Sequence, residues 1–96
     1  MPKMEESSRP LDMLNNARNK TVMIDLKNGS RYIGKLKAFD IHINIVLEEV
    51  EEHFPEEKEE EINGRKMRVR TGNLILKRKL GVIFLRGDTI TTISPA

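Results

Sequence analysis

The sequence has no cysteine and no tryptophan, and only one tyrosine and three phenylalanines. Lacking cysteine, it has no disulfide, no thiol nucleophile and no cysteine-held zinc. A secreted domain of 96 residues would ordinarily be stapled by disulfides, so the expected location is intracellular, in the cytoplasm. No apolar run approaches the roughly 18 residues of a membrane span, and no membrane association is expected. The opening, MPKMEESSRP, lacks the apolar centre of a secretory signal. There is no Gly-rich phosphate loop of Walker or dinucleotide type. The two histidines, His42 and His53, are too few and too far apart to form a metal centre. No cofactor and no metal are expected.

The composition, 38% hydrophobic and 33% charged, suits a single globular domain. The formal net charge of +2 hides an uneven distribution. Between Glu48 and Glu61 lie nine Glu and one Lys, which leaves sixteen basic and six acidic residues in the rest of the chain. That remainder suits a polyanion, or it is a solubilising surface.

Met1–Ser8 reads as a flexible polar tail, and residues 9–96 as one domain. Pro10 opens a helical pattern to Asn19, with Leu11, Leu14 and Ala17 on one face. So short a helix must dock on something. The period then changes to two. In Thr21–Lys27, Val22, Ile24 and Leu26 alternate with polar residues, and Asn28-Gly29 signals a hairpin turn. Arg31–Phe39 is a second strand, with Gly34 permitting a bend or close packing. Ile41–Leu47 alternates clearly and predicts a third strand, with the isoleucines facing one way and His42 and Asn44 the other. The acidic excursion at about 51–73 carries Pro55 and Asn63-Gly64, which mark a loop or an exposed hairpin. Leu74–Leu85 is a fourth strand, apolar on both faces at Val82–Leu85. Arg86-Gly87-Asp88 turns the chain into a last short strand, Thr89–Ile93.

The expected fold is therefore mainly β: an N-terminal α-helix followed by a five-stranded, strongly bent antiparallel sheet forming a small barrel. Tyr32, Phe39 and Phe84 are expected in its core. A two-faced apolar fourth strand and a short edge strand point to self-association through edges.

Two polar clusters interrupt the apolar pattern, Asp40-Ile41-His42-Ile43-Asn44 and Arg86-Gly87-Asp88. A hydrolase using His42 and Asp40 lacks a nearby nucleophile. Nucleic-acid recognition uses these groups better. Imidazole and guanidinium both offer planes on which a base can lie. An Asn amide can match the O4 acceptor and N3–H donor of uracil with two hydrogen bonds. Flipped, it would match cytosine, so a carboxylate must hold it, and Asp88 and Asp40 are the candidates. Lys77, Arg78 and Lys79 either attract phosphate or are simply solvated.

The segment Val22–Val50, with Leu26-Lys27-Asn28-Gly29, Tyr32-Ile33-Gly34 and Phe39 to Leu47, resembles the first Sm motif. Leu80 to Asp88, with Ile90 and Ile93, resembles the second, and Arg9-Pro10-Leu11-Asp12 resembles the helix start of archaeal Sm-like proteins. The chain departs from a minimal member at Glu51–Asn73, which is longer and more acidic. The resemblance implies a homo-oligomeric ring, a heptamer in most archaeal members, joined through strands four and five. It implies single-stranded U-rich RNA at a central pore. By position, His42 and Arg86 would sandwich each uracil, Asn44 would read it and Asp88 would orient the Asn. Asp40 would support the loop, and Gly87 would leave room for the base. The expected function is a non-catalytic RNA-binding ring acting in RNA processing or as a ribonucleoprotein core, with RNA-processing proteins as further partners. The alternative is a structural ring that docks proteins through its helix face or acidic loop.

Overall fold

The structure, a computed structural model, describes residues 10–96. The tail and Arg9 lie outside the described residues. Helix α1 (Pro10–Asn16) is followed by β1 (Thr21–Leu26), β2 (Arg31–Phe39), β3 (Ile45–Ile62) and β4 (Arg65–Leu85), then by a 3-10 turn (Gly87–Thr89) and β5 (Ile90–Pro95). The five strands form one sheet in the order β4-β3-β2-β1-β5, each pair antiparallel. β4 and β5 are the two edges.

The helix is shorter than its apolar spacing suggests. Its chain turns at Asn19, which takes φ of 66°, and the Asn19 N–H donates to Leu36 O at 2.7 Å. Asparagine tolerates this left-handed geometry, so the helix stops and is tied to β2. Leu14 docks it on the core.

The core is Leu14, Val22, Ile24, Leu36, Ile45, Leu47, Val50 and Leu85. Val22 and Ile24 are the inward half of an alternating strand, as the sequence pattern predicts. Fully burying each such side chain contributes about 1.5–3 kcal/mol. The sheet bends where β2 meets β3, at register shifts between Ile33 and Lys35 and between Leu36 and Ala38. A Cβ on Gly34 would lie 3.0 Å from Glu48 O and from a Val50 methyl, so a bare backbone is required at this close approach.

Two expectations are corrected here. The third strand begins at Ile45, not Ile41, because Asp40–Asn44 folds into a loop of its own; Ile41 is exposed. Phe84 is not in the core, and is 79% exposed in the single chain, whereas Tyr32 and Phe39 pack against the core from its margin. Periodicity alone does not say which side of an edge strand another element will cover.

The acidic run is a hairpin. β3 and β4 remain paired from Ile45↔Leu85 to Ile62↔Arg65, around the tip Asn63-Gly64. Both tip residues have positive φ, 54° and 79°, as a tight two-residue hairpin turn requires. Glu57, Glu59 and Glu61 face Arg70, Arg68 and Lys66 across the strands, so opposite charges share one face.

Glu52 is a buried charge, 3% exposed, and it is fully partnered. Tyr32 Oη donates to its Oε2 at 2.5 Å and Arg78 Nε to its Oε1 at 2.7 Å. Arg78 reaches this carboxylate from a side chain that is still 64% exposed. Burial acts to raise the Glu52 carboxyl, but the Tyr32 and Arg78 hydrogen bonds and the Arg78 charge hold it below its ordinary value. Burial, then the bond to Glu52, pushes the Tyr32 phenol up to about 12 from 10.0. A raised pKa means the neutral phenol is favoured by folding. Its contribution is complete below the unfolded value and is lost as pH rises through the folded one. Wild-type stability is therefore expected to fall between about pH 10 and 12. Tyr32→Phe is expected to lose about 1.5–3 kcal/mol at neutral pH, the value of a hydrogen bond to a charged group, and to lack that alkaline decline. Denaturant unfolding at a series of pH values checks both. An identical alkaline decline in Tyr32→Phe would assign it to another group.

Candidate functional site

The loop between β2 and β3 is organised by one carboxylate. Asp40 Oδ1 accepts from the backbone N–H of His42 at 2.8 Å and of Asn44 at 3.1 Å. Asp40 Oδ2 accepts from Asn44 Nδ2 at 3.1 Å. This is the local chemistry that makes Asp favour turns over strands, and it overrides the apolar alternation around it. Within the loop Ile43 takes φ of 61°, a strained geometry for a β-branched residue, and its N–H donates to Asp40 O at 3.0 Å. The hydrogen bond from the Asn44 side chain is the main reason that the Asp40 carboxyl sits below its ordinary 3.8, outweighing desolvation, with the two backbone donors adding to it. Depression of this pKa keeps Asp40 ionised at neutral and mildly acidic pH, so the loop is held there and loosens only in strong acid.

The second element is the 3-10 turn after β4. Thr89 N and Oγ1 both donate to Arg86 O, at 3.1 and 2.6 Å, and Lys27 N donates to Thr89 O at 2.8 Å, fastening the turn to the end of β1. The two loops meet at one bond: Gly87 N donates to Asn44 Oδ1 at 2.8 Å. A Cβ on Gly87 would overlap the His42 carbonyl oxygen and lie 2.9 Å from the Ile43 carbonyl carbon. Only glycine allows the two backbones to approach this closely.

Asn44 is thus fixed from both sides. Its NH₂ points to a carboxylate and its oxygen to a backbone N–H. Flipping the amide would oppose oxygen to carboxylate and NH₂ to N–H, so one orientation is strongly favoured. One amide hydrogen and one oxygen lone pair have no partner among the described residues.

The carboxylate that holds Asn44 is Asp40, not Asp88. Asp88 instead accepts from Arg86 Nη2 at 2.8 Å, and both are exposed. Proximity in sequence decides this pairing, since the two are separated only by Gly87. Arg86, Asp40 and Asn44 line one groove, of about 510 Å3, together with Phe39 and Phe84. His42 and Gly87 line another, of about 890 Å3, between α1 and β5. Within the single chain His42 and Arg86 therefore flank the Asn44–Gly87 bridge without lining a common groove. Two contributors escape the sequence reading. Phe84 lies exposed beside the loop, and Arg18 stacks its guanidinium 5.2 Å from the centre of the Phe39 ring. No helix among the described residues is long and apolar enough to cross a membrane.

A short helix over a bent, five-stranded open barrel, with an Asp-centred loop bonded to an Arg-Gly-Asp turn, defines the Sm class of small β proteins. The sequence profile of the LSM domain matches residues 12–95. The chain is 34% identical over 88 residues to the snRNP Sm-like protein of Methanococcoides burtonii, a match covering 92% of this chain and 97% of that one. It is similar to the Pyrococcus abyssii Sm protein solved in complex with a uridine heptamer, with a TM-score of 0.65 and 30% identity over 93% of this chain and 100% of that one. It is also similar to the P. aerophilum SmAP1 heptamer, with a TM-score of 0.64 and 28% identity over 91% and 92% of the two chains. The chain belongs to the Sm-like family.

Proposed function

We propose that this protein is a non-catalytic RNA-binding subunit that closes with copies of itself into a ring. The ring holds single-stranded U-rich RNA at the loops bearing His42, Asn44 and Arg86. The observation that carries this reading is the locked Asn44 amide. Its free edge offers a donor beside an acceptor, which matches O4 and N3–H of uracil and mismatches cytosine. His42 and Arg86, on either side of it, supply planar groups for stacking, and the Asp88 carboxylate restrains the guanidinium. Gly87 and Asp40 hold the two loops in register. The uridine heptamer of the P. abyssii relative supports the ligand class.

Ring closure follows from the edges. β4 and β5 each present an unpaired side, and Val82 and Phe84 are exposed on β4. Pairing β4 of one subunit with β5 of the next satisfies both edges and brings Phe84 towards the apolar groove lined by Met13, Ala17 and Ile93. The heptamer of the P. aerophilum relative supports a ring of seven. Repetition around the ring turns weak single-base contacts into avidity along one strand. Such a ring acts in RNA processing or as a ribonucleoprotein core in the cytoplasm, with processing proteins as partners.

The test is oligo-uridine affinity and native mass together. His42→Ala and Arg86→Ala are each expected to keep the assembly and to weaken oligo-uridine binding by about 1–3 kcal/mol per base contacted. Asn44→Ala is expected to reduce the preference for uridine over cytidine more than the overall affinity. Wild-type affinity in both stacking variants would remove the assignment.

A further inference from the structure

One cleft stands apart from this site. It has a volume of about 390 Å3 and lies where the β3–β4 hairpin leans on the β1–β2 turn. Phe54, half-buried, lines it together with Arg68, Arg70 and Lys77, and Glu57 is the one carboxylate in its wall. Arg70 is held in place by a hydrogen bond from its Nη2 to Asn28 O at 3.1 Å. None of the three cations is in an ion pair among the described residues. Their cross-strand neighbours Glu57 and Glu59 are opposite in register, yet Arg70 turns to the β1–β2 turn and Arg68 into the cleft.

The cleft is far from the uridine-reading loops. β2 runs nine residues from Arg31, beside the β1–β2 turn, to Phe39, beside the Asp40–Asn44 loop. At about 3.3 Å per residue its eight steps make a contour of about 26 Å, and the bend in β2 makes the direct separation shorter. Its makeup is an aromatic face among unpaired cations, in a space of the size that small-molecule sites occupy. This combination grips single-stranded nucleic acid without reading its sequence: the ring stacks a base, and the cations take the phosphate.

We propose that this cleft binds one further nucleotide of the RNA strand held by the ring, with its base against Phe54 and its phosphate between Arg68 and Lys77. The inference rests on the RNA-binding reading above. It adds a second station at the other end of the barrel, where a strand leaving the pore would pass. Its contribution requires RNA longer than the pore can hold.

The experiment compares a uridine heptamer with a much longer oligo-uridine on the full chain, across a salt series. Wild type is expected to bind the longer RNA at least tenfold more tightly, with a steeper salt dependence. The double variant Arg68→Ala, Lys77→Ala is expected to lose that advantage and to flatten the salt slope, by roughly 0.7 for each phosphate that is no longer neutralised. Phe54→Leu is expected to lose about tenfold for the longer RNA with an unchanged salt slope, because stacking releases no counterions. In both variants heptamer affinity and native mass stay at wild-type values. Unchanged affinity for the longer RNA in both variants would overturn the assignment, as would an equal loss for the heptamer. A wild type that ignores the heptamer while the variants still lose long-RNA binding would retain the cleft and discard the pore reading.

Discussion

Phe84→Asp is expected to break the proposed ring into single folded chains. The side chain is 79% exposed in the lone subunit, so its loss takes nothing from the core. In a ring closed by β4 against β5 it is buried at every junction. Burying a phenylalanine stabilises by about 1.5–3 kcal/mol, and forcing a carboxylate into the same apolar groove costs several more. A swing of about 5 kcal/mol at each interface corresponds to more than a thousandfold in its association constant. Light scattering of the purified variant reads the mass, and circular dichroism reads the fold. A variant that stays at the wild-type oligomeric mass would place Phe84 outside the junction and remove the edge-to-edge arrangement proposed here.

Gly87→Ala is expected to abolish the proposed uridine preference and to lower oligo-uridine affinity by roughly a hundredfold, because every copy in the proposed ring would lose its reading group at once. The added methyl meets backbone, not a flexible side chain: the His42 carbonyl oxygen and the Ile43 carbonyl carbon. Neither can move aside without separating the two loops. Separation breaks the bond from Gly87 N to Asn44 Oδ1 and frees the amide to flip. The outcome should exceed that of Asn44→Ala, since His42 and Arg86 are displaced as well. Competition between oligo-uridine and oligo-cytidine measures it. Retention of full uridine preference in Gly87→Ala would show that the bridge between the loops has no part in recognition.

The strand pattern was readable because burial imposes a period of two on residues that are neighbours in sequence. Val22 and Ile24 are inside, and Asn28-Gly29 and Asn63-Gly64 are turns, as local composition requires. The alternation at Ile41–Leu47 misled because it competes with Asp40, whose carboxylate gathers three donors and bends the chain before the strand can start. The acidic run read as a loop or an exposed hairpin, and its pairing along the whole length was not legible, since Glu57, Glu59 and Glu61 meet Arg70, Arg68 and Lys66 only across the hairpin, on β4.

By itself the sequence determined the mainly β fold, the bend, the two polar clusters and the stock of groups from which a site is made. These depend on local backbone preference and on the spacing of apolar residues. The tertiary structure alone decided the pairings between distant segments. It brought Asn44 to Gly87 and Arg78 to buried Glu52. It also left Phe84 outside and set Phe54 beside Arg68 and Lys77. The physical reason is range. Hydrogen bonds and ion pairs are settled within about 3–4 Å, and which groups come that close depends on how distant segments cross.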